Sequence, residues 1–157
     1  MTQAIALVVA IALPLLVGVL GSVFTFDAVR TWYPTLVRPA FAPPSWVFGP
    51  VWTTLYVMMG LASWLVWRAG FARPEGRRAL TFYAVQLGFN LAWSWLFFGI
   101  RQPLLALVDI VVLLVLIGVT VHRFAALSRG AALLLVPYLT WVGFATVLNG
   151  GFWWLNR

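Results

Sequence analysis

IALVVAIALPLLVGVLGSVFTF, residues 5–26, contains no charged residue and meets its first one only at Asp27. A run of about 20 apolar residues is what a helix needs to cross a hydrocarbon core about 30 Å thick. Working outward, four more such runs follow at 45–67, 79–98, 104–121 and 131–154. Together they take up most of the 157 residues, of which 64% are hydrophobic and 8% charged. Soluble domains carry about 25% charged residues, so most of this surface does not face water. These features predict an all-α membrane protein, a five-transmembrane-helix bundle forming a single domain over 1–157. The amino terminus lacks the basic region of a secretory signal, so the first run is expected to be a retained helix.

The composition also excludes chemistry. With no cysteine, disulfides, thiolate metal sites and cysteine nucleophiles are ruled out. No nucleophile–base–orienter set, phosphate loop or metal cluster can be assembled, so no metal site is expected. All ten basic residues are arginine and stand mainly in the gaps between apolar runs. There they suit membrane lipids and topology rather than nucleic acid. Arg68, Arg73, Arg77, Arg78, Arg123 and Arg129 fall on one side, and Arg30, Arg38, Arg101 and Arg157 on the other. Six against four places the amino terminus in the cytoplasm by the positive-inside rule. Which membrane holds the chain does not follow from the sequence.

The connector DAVRTWYPTLVRPAFAPP, 27–44, contains four prolines. Each fixes its own φ and restricts the residue before it, so the segment is stiff. A long rigid loop carrying Trp32, Tyr33 and Phe41 reads either as a lid or as an interfacial aromatic belt. Pro14 and Pro137 fall inside the first and fifth runs, where a kink is expected.

Residues three, four and seven apart share a helix face. By that rule Phe82, Gln86, Asn90, Trp93 and Phe97 form one stripe. Tyr138, Trp141, Ala145 and Asn149 form a second, and Trp52, Tyr56, Met59 and Ser63 a third. Each joins aromatic planes to hydrogen-bonding groups. One such stripe could simply pack helices together; three together suggest a pocket for a large planar ligand. Ala84, Gly88 and Ala92 lie opposite the stripe of their helix, as a close helix contact requires, and Gly18 with Ser22 forms a similar pair. Asp109 is the one acid inside an apolar run. It is a functional candidate, or it caps backbone or pairs with Arg101 near the interface. The lone histidine, His122, stands at a helix end and is expected to be solvated.

WYPTLVRPAFAPPSWVFGPVWTTLY (32–56) resembles the signature of the translocator protein family, also called tryptophan-rich sensory proteins or peripheral-type benzodiazepine receptors. QLGFNLAW (86–93), FFGIRQ (97–102) and PYLTWVGFATVLN (137–149) match in order, and the similarity covers essentially the whole chain. The resemblance implies a TspO/MBR-type five-helix bundle, often a homodimer, with the first connector folded over a pocket. It implies protoporphyrin IX or haem as ligand, with no required cofactor, and sterols such as cholesterol or other lipids as further partners. Binding residues are then expected at Trp32, Tyr33, Pro43, Trp52, Asn90, Trp93, Tyr138, Trp141, Ala145 and Asn149. Trp52 and Trp141 match the tryptophans tied to porphyrin breakdown in some bacterial members, and Ala84, Gly88 and Ala92 are expected at the dimer interface. A tetrapyrrole receptor or sensor is the leading reading; a porphyrin or sterol transporter and a light-dependent porphyrin-degrading enzyme are its rivals. The sequence departs from animal members at the carboxyl-terminal cholesterol motif, where Gly150 and Trp154 replace the tyrosine and the basic residue. It also departs at Leu105, which replaces a tryptophan.

Overall fold

A computed structural model describes residues 2–157. Five α-helices account for nearly all of it: α1 (Gln3–Thr31), α2 (Phe48–Gly70), α3 (Pro74–Ser94), α4 (Pro103–Ala125) and α5 (Arg129–Leu155). α1, α4 and α5 extend past the apolar runs that predicted them at both ends, whereas α2 does so only at its carboxyl end and α3 only at its amino end. A helix ends where its backbone finds a cap, not where apolarity stops, and charged residues continue the terminal turns outside a hydrocarbon layer. The Thr2 and Ser128 side-chain oxygens accept the backbone N–H groups of Ile5 and Ala131, capping α1 and α5. Both helices run unbroken through Pro14 and Pro137.

Four segments are long and apolar enough to span a membrane: α1, α2 with the short 3-10 turn before it (Ser45–Gly70), α4 and α5. α3 falls short because it carries Glu75, Arg77, Arg78, Gln86 and Asn90 within its length. The helix behaves as its stripe predicts: Gln86 and Asn90 are buried, while Ala84 and Gly88 lie on the exposed opposite face.

α4 and α5 pack along each other, as do α1 with α2 and α3 with α4. The core is apolar and aromatic, built on Met59, Val66, Leu113, Leu135 and Tyr138. α1 reaches α2 at Gly60, where a Cβ would stand 2.6 Å from the Ile11 Cα and 2.8 Å from the Ala10 carbonyl oxygen. Only glycine permits that approach, and it gives the dispersion contacts that replace hydrophobic drive between helices in lipid.

α3 does not finish as an α-helix. Trp95–Gly99 forms one π-helical turn, closed by the Ile100 N–H donating to the Trp95 carbonyl at 2.9 Å. Arg101 follows at φ 57, a left-handed conformation uncommon outside glycine, and the chain reverses at once into α4. Such turns insert a residue into the helix and redirect the side chains around it.

The connector between α1 and α2 is held against the end of α5. The Val37 N–H donates to Asn156 Oδ1 at 2.8 Å, and Asn156 Nδ2 donates to the Val37 carbonyl at 3.0 Å. Gly151 leaves room for Pro39, whose Cγ would lie 2.8 Å from a Cβ at that position. Arg38 Nη2 donates to the Pro43 carbonyl at 2.9 Å, closing the segment on itself.

Candidate functional site

Between α1, α2, α3 and α5 lies a cavity of about 670 Å³. α2 contributes Phe48, Trp52 and Tyr56; α3 and its π turn contribute Asn90, Trp93, Phe97 and Phe98. α5 contributes Trp141, Ala145, Leu148, Asn149 and Phe152, and the connector contributes Tyr33. The volume falls within the roughly 300–1,000 Å³ of small-molecule sites, and the walls are mainly aromatic with a few polar groups, as such sites are.

The rings are locked to one another. Trp52 stacks on Tyr56 with centroids 5.5 Å apart and meets Tyr138 edge-on at 6.2 Å. Trp93 stacks on Phe97 at 5.5 Å, and Trp141 touches Phe48 and Phe144 at 5.8 and 5.5 Å. Planes fixed in this way offer contact area without losing side-chain entropy when a ligand arrives.

Two hydrogen-bonded struts place the polar groups. Tyr56 OH donates to Asn90 Oδ1 at 2.7 Å, Asn90 Nδ2 donates to Tyr138 OH at 3.2 Å, and Tyr138 OH donates to Gln86 Oε1 at 2.7 Å. This chain ties α2, α3 and α5 together through groups that are otherwise costly to bury. In the second strut Trp93 Nε1 donates to Asn149 Oδ1 at 2.9 Å, and Asn149 Nδ2 donates to the Pro103 carbonyl at 2.8 Å. Asn149 thereby sets the Trp93 ring plane and anchors the start of α4. Trp141 Nε1 is buried with no partner among the described residues.

Of the residues expected to bind ligand, Tyr33, Trp52, Asn90, Trp93, Trp141, Ala145 and Asn149 line the cavity. Trp32, Pro43 and Tyr138 do not. Tyr138 is fully buried behind Asn90. Trp32 packs edge-on against Phe97 at 5.6 Å, and Pro43 offers its carbonyl to Arg38. Sequence reasoning missed the α1 wall, formed by Leu15, Gly18, Val19, Gly21, Ser22, Thr25 and Val29. Its one signal was the Gly18–Ser22 pair, where a Cβ on Gly18 would lie 2.5 Å from the Tyr56 ring.

Burial pushes the Tyr33 phenol up from its ordinary range, and the neighbouring Arg38 guanidinium opposes that rise. Arg38 lies 5.5 Å from the Tyr33 ring centroid, and Arg101 lies 6.0 Å from that of Trp32. The expected pairing of Asp109 with Arg101 is not made. Asp109 turns into the bundle, where its Oδ2 has no hydrogen-bond partner among the described residues, while Arg101 leans toward the connector. His122 is exposed, and no group of three potential metal ligands occurs among the described residues.

The cavity is thus lined by one connector residue, Tyr33, and by the inner faces of α1, α2, α3 and α5. The sequence pattern described as the TspO/MBR family matches residues 10–155. The chain belongs to that family. It is 47% identical over 147 residues to the tryptophan-rich protein TspO of Chlorobaculum tepidum, covering 94% of this chain and 93% of that one. It is 41% identical to the translocator protein of Bos taurus, covering 92% and 86%. With the tryptophan-rich sensory protein of Cereibacter sphaeroides the identity is 42%, covering 75% and 72%. Members named for translocation and for sensing thus match the same TspO/MBR chain.

Proposed function

We propose that this TspO/MBR protein is a membrane receptor or sensor that holds a tetrapyrrole, protoporphyrin IX or haem, inside its helix bundle. The supporting observation is the cavity of about 670 Å³ walled by Trp52, Trp93, Trp141 and Phe48. A flat, apolar macrocycle would stack on such planes. The chain has no cysteine and its single histidine is exposed, so retention would rest on stacking and polar contacts rather than iron ligation. Arg38 and Arg101, beside Tyr33 and Trp32, are the cations available to a macrocycle's carboxylates.

In this reading α3 is the fifth span, because its polar side chains turn inward and leave an apolar outer face. The connector then serves as the lid, since Asn156, Gly151 and Tyr33 hold it across one end of the bundle. The exposed Ala84–Gly88 face supports homodimerisation: Gly88 has nothing within 4 Å of an added Cβ. Gly88→Leu should therefore leave the fold intact and give monomer in detergent by light scattering. An unchanged dimer would place the interface elsewhere.

Protoporphyrin IX titrated into the purified protein, followed by absorbance in darkness and in light, tests the receptor reading. Saturable binding without decay supports it, and absence of binding removes it. Trp52 and Trp141 line the same cavity, which favours light-dependent degradation as a second reading. Trp→Phe at either site keeps an aromatic plane and removes the readily oxidised indole. Binding should weaken less than about tenfold, while any light-driven loss of macrocycle absorbance should fall much further. Equal losses in both would assign the two tryptophans to packing alone.

A further inference from the structure

The end of the bundle opposite the connector carries six arginines and one carboxylate. Arg68 lies in the last turn of α2; Arg73, Arg77 and Arg78 lie at the start of α3, Arg123 in the last turn of α4, and Arg129 at the start of α5. Glu75 is the only acid near them. The two turns at this end are packed together, since a Cβ on Gly70 would stand 3.1 Å from Leu127 Cδ2. The charges therefore share one face. Three helix amino termini, of α1, α3 and α5, and two carboxyl termini, of α2 and α4, meet at this end, so the helix dipoles largely offset one another and the arginine side chains carry its charge.

Within this face one place is built rather than merely charged. The Arg123 guanidinium lies 4.5 Å over the Phe82 ring, and its Nε is buried with no partner among the described residues. The ring fixes the plane of a half-exposed arginine. Arg78 is four residues before Phe82 on α3, hence its neighbour on the same face, about 6 Å away. Two like charges thus flank one aromatic ring, and Glu75, three residues before Arg78, is the one carboxylate on that stripe. On the bundle side of this pair, Val119 is half-exposed on α4 one turn from Arg123, and Val115 is exposed one turn further. A polar anion at the arginines would continue into an apolar surface.

We propose that Arg78 and Arg123 form a binding site for the phosphate of an anionic phospholipid, whose acyl chains lie over Val119 and Val115. Planar guanidinium groups match phosphate oxygens in geometry, and an arginine already held on a ring has less side-chain entropy to lose. The apolar continuation selects a lipid over a free anion. This assignment is independent of the tetrapyrrole reading.

The test uses the full chain in detergent, with retained lipid read by native mass spectrometry. Phosphatidylglycerol should be held in preference to phosphatidylcholine, and Arg78→Gln should lower its occupancy about fivefold, near the effect of one basic residue at an anionic surface. Arg123→Gln should do the same and Arg123→Lys should lose less, whereas Arg73→Gln, exposed on the same end, should change little. Arg78 is itself exposed, so its variant carries the test even if Arg123→Gln fails to fold. Equal losses at Arg73 and Arg78 would reduce the site to a diffuse field and overturn the proposal. So would the absence of any preference for phosphatidylglycerol, or its displacement by millimolar inorganic phosphate.

Discussion

Tyr138→Phe removes a single oxygen atom and is expected to cost about 2–4 kcal/mol of stability. That oxygen accepts from Asn90 Nδ2 and donates to Gln86 Oε1, and Tyr138 is fully buried. Its loss leaves two polar groups on α3 without their partner on α5. An interhelical hydrogen bond in a membrane contributes only ~0.6–2 kcal/mol, but an orphaned buried group also carries a desolvation penalty of ~1–3 kcal/mol. The penalty dominates, and it suggests a rescue. Adding Gln86→Leu to Tyr138→Phe removes one orphaned carbonyl together with an Nε2 that is already unpartnered. The double variant should therefore recover part of the loss. Detergent denaturation of the four proteins of this cycle checks it: an additive or worse double variant would show that the chain of hydrogen bonds does not hold α3 to α5.

The helix faces were legible because three helices are two-sided. In α2, α3 and α5 a polar or aromatic side chain returns every three or four residues, so periodicity alone turns Tyr56, Asn90 and Asn149 inward. α1 gives no such signal. It is apolar nearly all round, and nothing in its pattern separates the side that lines the cavity from the side that faces lipid. The π turn was equally invisible. Trp95–Gly99 is ordinary apolar helix by composition, yet the inserted residue lets both Phe97 and Phe98 line one cavity, which adjacent residues of an α-helix, 100° apart, do less readily. The connector's stiffness could be read from its prolines, but not the residue that holds it. Asn156 lies 119 positions away from Val37, and no local rule joins them. Asp109 was misplaced for a related reason: distance along the helix favoured Arg101, but the left-handed turn at Arg101 sends that side chain toward Trp32 instead.

The cavity itself meets its hardest test at Ala145. This residue lines the cavity one turn from both Trp141 and Asn149 and is 6% exposed, so any larger side chain there must enter the empty space or displace its walls. On the proposed tetrapyrrole reading, Ala145→Trp should abolish stacking of the macrocycle between Trp52 and Trp141, lowering protoporphyrin affinity by at least about a hundredfold, or ~2.7 kcal/mol. Stability should change far less than overpacking of a filled core would require, about 1–3 kcal/mol, because the added ring has a void to occupy. Val147, two residues on, is 63% exposed on the outer face of α5 and supplies the control. Val147→Trp adds the same indole to the same helix and should leave affinity within about twofold. Titration of both variants by absorbance, beside their thermal midpoints, separates the outcomes. Equal weakening by the two would place the ligand on the lipid-facing surface, because only there could Val147 reach it. Undiminished binding by Ala145→Trp would mean that the macrocycle never enters the bundle, since the cavity cannot hold both rings in the same place.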